Sequence, residues 1–209
     1  MTAATAIRVE VWFDLICPWC LIGKRQLERA LADFARLQPR TRVELQWRSQ
    51  ALLPDIPTGG LPFEAFYLHR LGSAAAVAAR QEQVRQAGRA AGLSFDFGRI
   101  PRMPNTLAAH ALIADAQEQC EALAVDALIE ALFEAHFQRS LDLGDESLLD
   151  QLARSHGVVR SAARPAPRHQ VRGVPFFVVD QRLALSGAQP AEQLLDLLMQ
   201  AGAAPVAFA

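Results

Sequence analysis

Two cysteines separated by two residues, placed where a strand hands over to a helix, constrain this chain more than any other feature. The stretch is Asp14-Leu15-Ile16-Cys17-Pro18-Trp19-Cys20. Before it, Ile7, Val9, Val11 and Phe13 alternate with other residues, a two-residue period that predicts a strand. After it, Leu27, Ala30, Leu31, Phe34 and Leu37 recur at three- and four-residue steps, which predicts a helix with one face on a core. Pro18 suits the first helical position, where the missing N–H costs nothing.

That placement has chemical consequences. Unpaired N–H groups and the positive end of the helix dipole favour an anion at Cys17, and so a thiolate. Cys20, one turn inside the helix, should be the more buried of the two. The pair can close a disulfide and reopen it through a mixed disulfide at Cys17. Asp14 is close enough in the chain either to oppose the thiolate or to relay a proton to Cys20, and both roles stay open. A zinc site is a rival use of two cysteines, but it wants four ligands. The remaining cysteine, Cys120, stands alone, and no His-x-x-x-His pattern accompanies it. Redox use without a metal is the expectation.

The formal charge of −1 gives no basic excess of the kind that nucleic acid attracts. The first residues, Met1 to Arg8, lack the basic start and long apolar core of a secretion signal, and no apolar run reaches membrane-spanning length. Three cysteines make a stapled secreted scaffold a poor fit. The expected compartment is the cytoplasm, without membrane attachment, where such a pair rests mainly reduced.

Further along, Val43, Leu45 and Trp47 alternate with Glu44, Gln46 and Arg48 and predict a second strand, completing a strand-helix-strand unit. Ser49 to Pro62 reads as loop, broken by Pro54, Pro57, Gly59, Gly60 and Pro62. Four helical stretches follow: Phe63–Leu71, Ser73–Ala91, Thr106 to about Gln138 with a break near Gln119-Cys120, and Glu146–His156. Ser73 and Asp145 are the expected N-caps, and Gly92 and Gly157 the stops. The five histidines, His69, His110, His136, His156 and His169, share no ligand spacing, so packing, capping or solvent contact is the expectation for each. Cys120 reads as a small half-buried helix residue. Val158–Arg172, with Pro165, Pro167 and five basic residues counting His169, reads as an exposed connector. Gly173–Val179 is a strand led by proline, Leu183–Ser186 a second strand, and Pro190 opens a helix carrying Leu194, Leu195, Leu197 and Leu198. One mixed sheet covered by helices and interrupted by a helical block is the economical α/β architecture.

Taken together, Phe13-Asp14-Leu15-Ile16-Cys17-Pro18-Trp19-Cys20-Leu21-Ile22-Gly23-Lys24, Pro104-Asn105-Thr106 before a helix, and Gly173-Val174-Pro175-Phe176-Phe177 resemble the DsbA-like thioredoxin oxidoreductases, and within them the FrnE-like branch. The resemblance runs over nearly the whole chain. It implies a thioredoxin-like fold, 1–62 with 158–209, carrying an all-helical insertion, 63–157. It further implies a cis bond at Val174-Pro175, catalysis by Cys17 and Cys20, and a substrate groove bordered by Pro18, Trp19, Val174, Pro175 and Asn105. Asn105 as a plain helix cap is the equal alternative. An extended substrate would pair with the Val174 backbone while its sulfur meets Cys17.

Glutathione-dependent isomerases and kappa-class transferases, among them 2-hydroxychromene-2-carboxylate isomerase, resemble this chain too but carry serine where Cys17 stands. A dithiol–disulfide oxidoreductase is therefore the first reading. A glutathione-using isomerase or transferase of an aromatic or polyketide-like molecule is the second. A binding protein with a redox-controlled clip is the third. Expected partners are protein or small-molecule thiols and disulfides. Glutathione is a candidate co-substrate, no bound cofactor is called for, and a homodimer stays open. The branch usually has a further helix before the proline loop, where this chain has the short segment 158–172.

Overall fold

A computed structural model describes residues 6–161 and 171–203. The chain divides into two compact units. One holds the residues up to Phe13, Trp19–Arg48, and the chain from Val171 on; the other holds Asp14–Pro18 and the described stretch from Ser49.

The first unit is a four-stranded sheet with helices. Strand β1 (Ala6–Phe13) is followed by helix α1 (Pro18–Leu37) and strand β2 (Arg42–Ser49). Strands β5 (Phe176–Val179) and β6 (Leu183–Ser186) and the last helix, α7 (Ala191–Ala203), return to the same sheet, whose order is β2-β1-β5-β6. The alternation in β1 is real: Ile7, Val9, Val11 and Phe13 are all buried. Strand β5 runs antiparallel to β1, pairing Val11 with Phe177 and Val9 with Val179, so buried residues of both strands share one face. The strand forecast at Gly173 begins only at Phe176. Pro175 has no N–H for the ladder, but its carbonyl accepts from Gly187 N–H at 2.8 Å and extends the β5–β6 pairing by one step.

Helix α1 buries Cys20, Leu21, Ile22, Gly23, Lys24, Leu27, Ala30 and Phe34. Two residues of the forecast face depart from it. Leu31 is half-buried, and Leu37, in the last turn, is 58 % exposed. The periodic face therefore starts earlier than the apolar pattern suggested, and a buried lysine lies within it. Lys24 is only 2 % exposed; its ammonium pairs with Glu28 and lies 5.9 Å from the centre of the Trp47 ring. The aliphatic stem packs while the charge finds a carboxylate and an aromatic face.

The second unit is helical. It contains α2 (Phe63–Leu71), α3 (Ala74–Ala90), α4 (Leu107–Gln119), α5 (Ala122–Phe137) and α6 (Glu146–Ser155). Ser73 accepts a hydrogen bond from Ala76 N–H at 3.2 Å and Asp145 one from Ser147 N–H at 2.8 Å, so both forecast N-caps are made. The long forecast helix breaks at Cys120, whose backbone is extended (φ −126°, ψ 157°). Gly92 and Gly157 both take the left-handed φ of a helix stop. The core joins Leu112, Ile113 and Ala116 of α4 to Leu128, Ile129, Leu132 and Phe133 of α5, all fully buried. Beside it, the Phe95 ring stacks on Phe97 (5.5 Å, 5°) and meets Phe137 edge-on (5.2 Å, 83°).

Two expectations are corrected here. The loop forecast over Ser49–Pro62 ends in a two-residue strand, β3 (Leu61–Pro62), paired antiparallel with β4 (Arg102–Met103). A ladder this short has no periodicity for a sequence to display. The forecast exposed connector, Val158–Arg172, is exposed at Val159 and Ser161 as expected but is anchored at its beginning. Val158 is buried, Val159 exchanges two backbone hydrogen bonds with the Gln119 side chain, and Ser161 bonds the buried Asp115 through N–H (2.8 Å) and Oγ (2.6 Å). The rest of that segment, 162–170, with Pro165 and Pro167, lies outside the described residues. No helix among the described residues is long and apolar enough to cross a membrane.

Gly88 in α3 exists for a close approach. A Cβ there would stand 2.6 and 2.7 Å from two Phe95 ring carbons, and Phe95 is held by the two ring contacts above. Helix propensity alone favours Gly88→Ala by about 1 kcal/mol, whereas overpacking costs about 1–3 kcal/mol. Urea unfolding should find Gly88→Ala destabilised, by up to about 2 kcal/mol; a stabilised variant would mean that the Phe95 ring yields freely.

Candidate functional site

The helical unit includes Asp14–Pro18, so the first cysteine is built into it. Cys17 stands immediately before α1, whose first residue is Pro18, and Cys20 is the third helical residue. Both are buried, Cys17 at 7 % exposure and Cys20 at 3 %, in the order expected from one further turn of helix. Cys17, Cys20 and Cys120 are all thiols. Cys17 N–H donates to the Asp14 carbonyl at 3.1 Å, closing a tight turn that aims the chain into the helix. Pro18 and Trp19 are half-buried beside it.

Asp14 is the least expected member. Its carboxylate is fully buried, and each oxygen has a donor: Oδ2 accepts from Leu52 N–H at 2.6 Å, and Oδ1 lies 3.1 Å from His110 Nε2. His110 comes from the buried face of α4, 96 residues away. A second histidine, His136 of α5, is fully buried, and neither ring nitrogen finds a hydrogen bond of good geometry. Loss of water drives its pKa down to about 4, against weaker opposing effects from the Leu141 backbone and the Asp14 charge. Tyr67, the chain's one tyrosine, sits half-buried on α2 against Phe63 (4.8 Å) and Phe66 (5.3 Å). Burial pushes its phenol up to about 12, the charge of Cys17 adds to the push, and Arg70 and Arg80 oppose it. It therefore stays a neutral phenol at ordinary pH.

Asn105 acts as a bracket. Its amide donates to the Ile56 carbonyl (2.5 Å) and its oxygen accepts from Leu107 N–H (2.9 Å), the first residue of α4. The capping alternative thus describes its hydrogen bonds, and the residue is buried to 8 % exposure. In the sheet unit, the Val174-Pro175 bond is cis. Pro175 is buried against α1 where Gly23 has no side chain; a Cβ on Gly23 would approach Pro175 Cγ to 3.0 Å and Phe177 Cζ to 3.2 Å. The proline is seated on the second turn of the helix that the cysteine pair opens. Cys120 is half-buried at the far end of α4.

Sequence reasoning singled out the two cysteines, Pro18, Trp19, Val174, Pro175 and Asn105, and left the role of Asp14 open. It missed His110, His136 and Tyr67. One signal was present: Asp14 and His110 are lone polar residues in apolar runs, Phe13-Asp14-Leu15-Ile16 and Ala108-Ala109-His110-Ala111-Leu112.

Comparison with known proteins agrees with this geometry. The family model for the DSBA-like thioredoxin domain matches residues 8–166. A probable DsbA oxidoreductase from Streptomyces coelicolor is similar in structure (TM-score 0.82, 28 % identity, 97 % of this chain and 93 % of that one). A 2-hydroxychromene-2-carboxylate isomerase shares the fold at 14 % identity (TM-score 0.60, 93 % and 94 % covered). So does the cytosolic disulfide reductase DsbM from Pseudomonas aeruginosa, solved with glutathione, at 14 % identity (TM-score 0.56, 92 % and 98 % covered). No curated protein matches the sequence.

The depressed His136 pKa makes stability depend on pH. Below about 6.5 the unfolded chain takes up a proton at this position that the folded protein refuses until about pH 4. The stabilisation is therefore complete above pH 6.5 and falls with decreasing pH through that window, by about 3 kcal/mol in all. Denaturation midpoints measured between pH 7 and 4 should show this slope in the wild type and lose that component in His136→Leu. Equal slopes in both proteins would mean that His136 is solvated.

Proposed function

Because the chain belongs to the DSBA-like thioredoxin domain family, we propose that it is a thiol–disulfide oxidoreductase working through Cys17 and Cys20. The observation that carries this reading is the pair itself: two thiols bracketing the first turn of α1, with Cys17 immediately before the first helical residue, at the positive end of the helix dipole. In the reducing direction, the Cys17 thiolate attacks one sulfur of a substrate disulfide and expels the other as a thiolate. A Cys17–substrate mixed disulfide forms. Cys20, after losing its proton, attacks the Cys17 sulfur and releases the second substrate thiolate. Two electrons leave the protein, which ends with a Cys17–Cys20 disulfide, and the released thiolates are protonated. The same steps reversed oxidise a dithiol.

The groove is assigned to Val174 and Pro175, with Pro18 and Trp19 at its edge, and Asn105 to the support of the α4 start. An extended peptide or a small disulfide would offer backbone groups to Val174. Two molecules of glutathione would restore the dithiol, giving oxidised glutathione, and in a reducing compartment such as the cytoplasm the pair rests reduced. Cysteine where the glutathione-dependent isomerases carry serine favours this chemistry over glutathione addition.

An insulin-reduction assay with glutathione tests the reading. Cys17→Ser should abolish turnover. Cys20→Ser should accumulate mixed disulfides on Cys17, visible by mass spectrometry without reductant. Cys120→Ser should retain wild-type turnover, because its sulfur lies at the far end of α4. Turnover that survives Cys17→Ser would transfer the assignment to a glutathione-using isomerase or transferase.

A further inference from the structure

We propose that a cavity beside the first half of α3 binds a small organic acid, an apolar body that carries a single negative charge. The inference is independent of the oxidoreductase reading, since no residue of the Cys17 turn lines the cavity. Its origin is an uneven packing of α3. The residues that this helix buries, Val84 and Gly88, belong to its second half, where Gly88 closes on Phe95. The first half buries none. There Ala74, Val77, Ala78 and Gln81, three and four positions apart and so on one face of the helix, line an opening of about 610 Å³. Phe63 and Leu68 of α2, with Phe97 and Ile100 of the segment before β4, wall the other sides.

Size and lining suit a small molecule. Ligand cavities of roughly 300–1,000 Å³ are mostly apolar and carry a few polar groups, whereas a packed interior leaves no gap of this kind. Here the alanines of α3 stand where longer side chains would fill the space. Leu68, on the wall, is left 44 % exposed. Phe63 and Phe97 hold their rings nearly parallel (10°, centres 6.4 Å apart) and give the cavity its aromatic wall. An apolar body seated there takes this surface out of water.

Charge selects the anion. Residues 63–102 hold six arginines against three carboxylates, Glu64, Glu82 and Asp96, in a chain whose formal charge is −1. Glu82 is shared between Arg89 at 2.9 Å and Arg85 at 3.6 Å, one guanidinium more than it balances. Arg85 is also tied to two lining residues. It donates to the Gln81 amide oxygen at 3.2 Å, and its guanidinium lies 5.5 Å from the centre of the Phe97 ring. With that oxygen taken, Gln81 keeps its N–H groups to donate to a ligand. Glu64 is the one carboxylate among the lining residues and opposes an anion, but the excess of arginine around it is larger.

The test titrates the full-length protein with 1-anilinonaphthalene-8-sulfonate, whose fluorescence rises when it leaves water, and with the neutral N-phenyl-1-naphthylamine. The wild type should bind one molecule of the anionic dye, more tightly than the neutral one. Ala78→Phe fills the cavity and should abolish binding of both, whereas Ala79→Phe, the next residue on α3 and outside the lining, should leave it intact. Arg85→Gln should weaken the anionic dye roughly threefold and Glu64→Gln tighten it roughly threefold, with the neutral dye unmoved by either. No binding, or binding that survives Ala78→Phe, overturns the site. Equal affinity for the two dyes, or no effect of the charge variants, overturns the anion and with it the proposal. Should Ala78→Phe fail to fold, the Val77 and Leu68 methyl signals of the wild type decide: signals that stay put on adding the dye overturn the site. Insulin reduction should be unchanged in all four variants, so failure of the site leaves the oxidoreductase reading standing.

Discussion

A carboxylate sealed from water has to be answered by donors, and the way Asp14 is answered organises the region around Cys17. Its two oxygens draw in Leu52 N–H, which opens the long loop after β2, and His110, which lies on the buried face of α4. Its own carbonyl holds Cys17 N–H. One residue thus ties a loop, a helix and the cysteine turn together through three hydrogen bonds. Breaking such a set by removing a partner costs far more than the net value of making it, because the remaining groups stay buried. The neighbouring positions agree with that constraint: Leu15, Ile16 and Cys17 are all buried, so the turn has no way to swing its carboxylate into solvent.

The sheet unit solves a different problem, that of bringing a proline against a helix. The close seat of Pro175 on α1 requires a residue without a side chain at Gly23, and the sequence supplies it three positions after Cys20. The neighbouring Phe177 is fully buried and paired with Val11 of β1, so the approach is backed by sheet rather than by loop. Lys24 follows directly, and its buried ammonium is met by Glu28 and Trp47. Glycine and lysine at adjacent positions of a buried helical face look like faults in a pattern. Here the first gives room to a proline and the second carries a charge that has its partner on the next turn.

What was legible in the sequence divides along range. The strand before Cys17, the helix after it, the caps at Ser73 and Asp145 and the break at Cys120 are decided by residues within a few positions of each other, and each was readable. The departures arise where partners lie far apart. Val158–Ser161 read as an unanchored start to a connector because nothing nearby reveals that Asp115 and Gln119, forty or more residues earlier, hold it. The Leu61–Met103 pairing is of the same kind. His110 and Asp14 are separated by 96 residues, and a histidine among alanines gives no hint of which carboxylate it will meet. The cis bond at Val174-Pro175 was readable only through the family resemblance, since proline alone does not choose the isomer.

The two buried histidines show why a contact matters more than burial itself. His110 and His136 are on neighbouring helices of one core, both shut off from water, and both are reached by the field of Asp14. Loss of water acts against a proton on His136. Of the two, only His110 has a carboxylate oxygen within hydrogen-bond distance. His136 is left as a neutral ring packed on Phe137, a cost to stability in acid, while His110 is tied to the turn that carries Cys17. With Asp14–Pro18 among its residues, the helical unit furnishes the surroundings of Cys17.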